Sequence, residues 1–149
     1  MAARQNKETI EMKDIESSIE KVLAGSEKKS RIITEKDKEI TAYHEVGHAL
    51  VAYFNKHADP LRKISIIPRG MALGLTWTMP DDDRVHVTKN QLLAKIALSL
   101  GGRVAEELVF GDVTTGAYSD LENVSKIARN IVTSYGMSDV LGPLQFGQK

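Results

Sequence analysis

Residues 34–54 read TEKDKEITAYHEVGHALVAYF, and the reading of the remaining chain follows from what this stretch does. Thr34 with Asp37 three residues later resembles a capping box, in which a side-chain oxygen satisfies a backbone N–H that the first helical turn leaves open. Ile40, Tyr43, Gly47, Leu50, Val51 and Phe54 recur at helical spacing, so a helix is expected from about 35 to 55 with these residues as its apolar stripe. Within it, His44-Glu45-Val46-Gly47-His48 fits H-E-x-x-H. Residues four apart return to the same helix face, so both imidazoles can reach one metal ion. They border the stripe and are expected to look into a partly buried groove, where charges interact strongly.

The chain has no cysteine, so a metal must be held by nitrogen and oxygen ligands. Glu45 projects toward the side of His48, from where its carboxylate can meet an activated water without ligating the metal, and it is the expected general base. A zinc held there acidifies water and polarises a carbonyl, which is the chemistry of amide hydrolysis. Two histidines satisfied by ordinary hydrogen bonds are the bland alternative, and a closed structural zinc is disfavoured because the cysteines that dominate such sites are missing. A catalytic zinc needs a third protein ligand, and Val51 and Phe54 stand where the extended pattern H-E-x-x-H-x-x-G-x-x-H requires glycine and histidine. The candidates are Asp120, Glu106, Glu107, His57 and His86. Asp120 falls at an expected helix start that favours a carboxylate, Glu106 and Glu107 lie inside a helix as surface or ion-paired residues, and the two histidines lie in loops.

Outward from this helix, Ile15, Ile19, Val22 and Leu23 predict a short amphipathic helix over 12–24, stopped by Gly25 in a left-handed cap. Residues 26–33 are charged and small at their start and are expected to form a linker. Lys63 to Pro68 and Gly74 to Met79 read as strands of a hairpin or small sheet, with Arg69-Gly70 as the turn signal. Thr88 and Gln91 box the start of a helix carrying Leu92, Leu93, Ile96, Leu100, Val104 and Leu108, whose interior Gly101-Gly102 implies close packing or a break. Ser119 and Glu122 are read as a third box before Leu121, Val124, Ala128, Ile131, Val132 and Tyr135, with Gly136 as the stop. The expected fold is mainly α with a small β-hairpin or sheet and a zincin-like helix carrying H-E-x-x-H.

With 149 residues, one main core is expected. Apolar residues at 42% and charged residues at 27% separate the chain from disordered sequences. Twenty Lys and Arg balance twenty Asp and Glu, so no net field recruits nucleic acid or anionic lipid. No stretch has the roughly 20 apolar residues of a membrane span, and no G-x-x-x-x-G-K-[ST] loop is present, so ATP would act only through a module outside this sequence.

Several segments together resemble the FtsH family of membrane-anchored AAA+ ATP-dependent zinc metalloproteases: Ile40 to Leu50, Ile64 to Gly70, Leu98 to Gly111 (LSLGGRVAEELVFG), and Thr114-Thr115-Gly116-Ala117 with Asp120. The resemblance implies that His44, His48 and Asp120 are the zinc ligands and Glu45 the catalytic glutamate. It implies residues 1–25 as the end of an AAA+ helical lid, 26–33 as linker and 34–149 as the peptidase domain, which in the family continues further. It also implies a homo-hexamer at the cytoplasmic face of the bacterial cell membrane that degrades unfolded or misassembled membrane and soluble proteins. Val46 departs from the family's alanine, adding two methyl groups away from the ligands. The Gly74 to Met79 strand is expected to offer an edge for backbone pairing with an extended substrate. The rival reading is an inactive piece that serves only as an oligomerisation or interaction module.

Overall fold

A computed structural model describes residues 8–27 and 32–147. Among these residues, four α-helices and two strands follow in the order α1 (Met12–Ala24), α2 (Glu35–Phe54), β1 (Leu61–Ser65), β2 (Leu75–Thr78), α3 (Lys89–Phe110) and α4 (Tyr118–Thr133), with a 3₁₀ turn at Thr115–Ala117 before α4. The architecture is mainly α with one small antiparallel sheet, as the periodicities require. The expected linker falls partly outside the described residues.

Local chemistry explains most helix starts. The Thr34 hydroxyl accepts from the Asp37 N–H, and Thr88 and Gln91 form a full reciprocal box at the head of α3. The box expected at Ser119 is absent. Thr114 instead caps the 3₁₀ turn by accepting from the Gly116 N–H, and the chain is already helical at Tyr118. Gly136 sits at φ 59° beyond α4 and lets the Met137 N–H return to the Ile131 carbonyl, satisfying a helix-end acceptor.

Of the apolar stripe, only Gly47 belongs to the buried face of α2. Thr41, His44, Glu45, Gly47, His48, Ala49 and Ala52 turn inward, whereas Tyr43, Leu50 and Phe54 are exposed. The cause is the contact with α3, which is built from backbone rather than from large side chains. A methyl group on Gly101 would lie 2.7 Å from the Gly47 carbonyl oxygen, so the two helices meet at a distance only glycine permits. Gly101-Gly102 therefore marks close packing, and α3 runs through it unbroken.

β1 and β2 pair antiparallel, Ile64 opposite Thr76 and Ser65 opposite Leu75, with a bulge between Leu61 and Lys63. β1 starts and ends earlier than its sequence signal, β2 falls within its own, and the connection over 66–74 is too long for a two-residue hairpin. Arg69-Gly70 does turn the chain, but inside that connection, where Arg69 and Ala72 exchange backbone hydrogen bonds. Arg69 itself is 3% exposed and pairs with Glu20 of α1 and with Glu27. No helix among the described residues is long and apolar enough to cross a membrane.

Candidate metal centre

α2 brings His44 and His48 side by side, and the first turn of α4 brings Asp120 against both. The Nε2 atoms of the two histidines are 2.9 Å apart, and Oδ2 of Asp120 lies 3.2 Å from that of His44 and 3.4 Å from that of His48. Donors about 2.0–2.1 Å from a tetrahedral ion are separated by about 3.3 Å, so this triangle has the dimensions of a zinc coordination face.

Both imidazoles are fixed from behind. Nδ1 of His44 lies 2.7 Å from Oε1 of Glu106, and Nδ1 of His48 lies 2.6 Å from the Leu98 carbonyl oxygen. These partners accept only, so each Nδ1 carries its hydrogen and each neutral ring turns a lone pair inward through Nε2. Two lone pairs and a carboxylate oxygen facing one another repel unless a cation stands among them. The titration behaviour expresses the same field. Burial opposes charge on His44, yet its hydrogen bonds to Asp120 and Glu106 raise the pKa above the ordinary value. Burial also opposes charge on Asp120, but the two histidines hold its carboxyl at about 2. A point that draws a proton this strongly attracts a divalent cation as well, and the donor set fits zinc.

Space for the His44 ring comes from α3: a methyl group on Gly102 would lie 2.5 Å from its Cε1 and Nε2. Glu45 stands beside the triangle without joining it. Its carboxylate is buried, which raises its pKa, while the Thr76 hydroxyl bonded to Oε2 at 2.5 Å and the neighbouring His48 and His44 work the other way.

Of the third-ligand candidates, Asp120 is the one in the group with His44 and His48. Glu106 is 1% exposed and contacts His44, but at Nδ1, while its Oε2 accepts from the Thr114 N–H. Glu107, His57 and His86 are exposed. The orienting parts played by Glu106, the Leu98 carbonyl, Gly102 and Thr76 were missed by the sequence reading. For Glu106 a signal existed, because it follows Gly102 by four residues and so shares the face that the glycines present to α2.

A family model described as peptidase family M41 matches residues 31–149. The chain is 53% identical over 148 residues to the ATP-dependent zinc metalloprotease FtsH of Rubrobacter xylanophilus, covering 99% of this chain and 23% of that protein. It is 54% identical over 147 residues to the protein of the same name from Chlorobium luteolum, covering 98% of this chain and 21% of the relative. For that of Acidobacterium capsulatum the figures are 51% over 148 residues, 99% and 23%. The chain thus spans less than a quarter of the length of these relatives.

Proposed function

Because the chain belongs to peptidase family M41, we propose that it is the zinc-peptidase portion of an ATP-dependent protease, in which His44, His48 and Asp120 hold zinc and Glu45 moves the proton. One observation carries this reading: two inward-facing imidazole nitrogens and one carboxylate oxygen converge beside a buried glutamate that is not among them. Zinc would supply Lewis-acid polarisation of the scissile carbonyl and acidification of water. The chain's own groups do the remainder. Glu106 and the Leu98 carbonyl keep both Nε2 atoms turned inward, and Asp120 adds a negative charge that attracts a cation. The Glu45 carboxylate takes a proton from the attacking water and hands it to the departing amine nitrogen.

For the parent protein, the proposal follows what the relatives are named. Nucleotide hydrolysis belongs to an AAA+ module outside this sequence, with residues 1–25 as the end of its lid, 26–33 as linker and 34–149 as peptidase. The assembly is a homo-hexamer at the cytoplasmic face of the cell membrane, and its substrates are unfolded or misassembled polypeptides. β2 pairs with β1 along one edge, and along the other we place the backbone of an extended substrate.

Elemental analysis and casein digestion test this. One zinc per chain is expected, lost in His44→Ala, His48→Ala and Asp120→Ala and kept in Glu107→Gln; zinc retained by Asp120→Ala would remove the ligand assignment. Glu45→Gln should keep zinc and stop cleavage, and undiminished cleavage would mean that another group is the base. Leu75→Pro, which distorts the β2 edge, should stop cleavage with zinc retained, and unchanged cleavage would remove the edge-pairing proposal.

A further inference from the structure

Thr76 lies on β2 opposite Ile64, and its side chain crosses to α2. Its Oγ1 is 2.5 Å from Oε2 of Glu45 and 2.9 Å from the main-chain oxygen of the same residue. That main-chain oxygen already accepts in the helical ladder of α2, so the single hydroxyl proton goes to the carboxylate, the shorter and charge-assisted contact. Among the described residues, Thr76 is the side chain that donates to Glu45. The other oxygen, Oε1, has no hydrogen-bond partner among the described residues; it lies against Gly74, where a methyl group would stand 2.6 Å from Oε1 and 2.8 Å from Cγ2 of Thr41, so glycine leaves that oxygen uncrowded. The two oxygens of Glu45 are therefore inequivalent.

The geometry points to Thr76 as the positioning residue of the general base, its hydroxyl fixing Oε2 and leaving Oε1 as the oxygen that exchanges the proton. The inference rests on the peptidase reading above. The proton of the attacking water passes to Oε1 as the new C–O bond forms, and from Oε1 to the amine nitrogen as the C–N bond breaks; Thr76 keeps its own proton throughout. Without the anchor the carboxylate swings, and displacing a reacting group by about 1 Å can cost about 100-fold in rate.

Thr76→Val keeps the shape of the side chain and deletes the donor, whereas Thr76→Ser keeps the donor. With the zinc-loaded protein and casein, Thr76→Val should lower kcat by about 10- to 100-fold with KM and bound zinc unchanged, and Thr76→Ser should restore most of the rate. A second readout needs no turnover: in the metal-free protein, the loss of melting temperature caused by Thr76→Val should shrink when Glu45 is replaced by alanine. Full kcat in Thr76→Val, equal losses in the valine and serine variants, or strictly additive melting shifts would each overturn the role of Thr76. Cleavage that survives Glu45→Gln would instead overturn the peptidase reading on which it rests.

Discussion

Oε1 of Glu106 lies 2.7 Å from Nδ1 of His44, while Oε2 of the same carboxylate accepts from the Thr114 N–H. Both oxygens are committed as acceptors, and this makes Glu106→Gln a sharp test. If the amide oxygen keeps the Thr114 N–H, the NH₂ faces His44 and drives the hydrogen of that ring from Nδ1 to Nε2, the atom turned toward Asp120. Zinc affinity should fall about 10- to 100-fold, the usual cost of losing such a partner, while Glu107→Gln leaves it unchanged. Competition with a chelator of known affinity measures this, and equal affinities for both variants would deny Glu106 its orienting part.

Gly102→Ala places a methyl group 2.5 Å from two atoms of the His44 ring. A helix interior normally gains about 1 kcal/mol from this replacement. Here the gain is overridden, because the ring is also held by Glu106 and Asp120 and has nowhere to retreat. Overpacking of this kind costs about 1–3 kcal/mol, and the displaced ring leaves the triangle. A lower melting temperature together with loss of zinc is expected; a variant that is more stable and still binds zinc would show that α3 can give way.

What could be read in the sequence was local. H-E-x-x-H brings His44, Glu45 and His48 to neighbouring positions through helix geometry alone, and the Thr88–Gln91 box is complete within four residues. The rest depended on partners distant in sequence. Asp120 was one candidate among five until the family resemblance singled it out, since no spacing rule links positions 76 apart. The apolar stripe of α2 located only part of the buried face: its Gly47 and Val51 meet α3 at Gly101, but its large members Tyr43, Leu50 and Phe54 are exposed, and the small residues Gly47, Gly101 and Ala105 that set the close approach carry little hydrophobic signal. Ser119 looked like a cap because nothing local reveals that Thr114 has already started the turn.

The ion group should leave a pH signature in the metal-free protein. Asp120 has a folded pKa lowered from 3.8 to about 2, so its contribution is present above 3.8 and is lost as pH falls through about 2. His44 has a folded pKa raised above 6.5, so its contribution is complete below 6.5 and is lost as pH rises through the folded value. Both operate together between about pH 4 and pH 6.5. Glu45 has the slope of His44 and the opposite of Asp120: burial raises its pKa above 4.5, so ionising it costs stability as pH climbs. After chelation, Asp120→Asn should therefore lower the melting temperature more at about pH 5 than at about pH 9. An equal loss at both values would show that Asp120 and His44 are not linked.

α1 is held to the rest of the chain by charge. The Glu20 side chain, 1% exposed, accepts from Nη2 of Arg69 at 2.5 Å and also from Lys63, while the same Arg69 nitrogen lies 2.7 Å from Glu27. Arg69→Leu leaves the Glu20 carboxylate buried beside a half-exposed lysine, and breaking such a pair costs about 3–5 kcal/mol. Adding Glu20→Leu removes the stranded charge, so the double variant should recover much of the loss. The damage should also stay local, because α2 and α3 pack on each other through glycine and alanine contacts in which α1 takes no part. Hydrogen exchange in Arg69→Leu is expected to show faster amides in Met12–Ala24 with α2 and α3 still protected. Equal loss of protection in all three helices would mean that the cluster supports the whole fold rather than the docking of one helix.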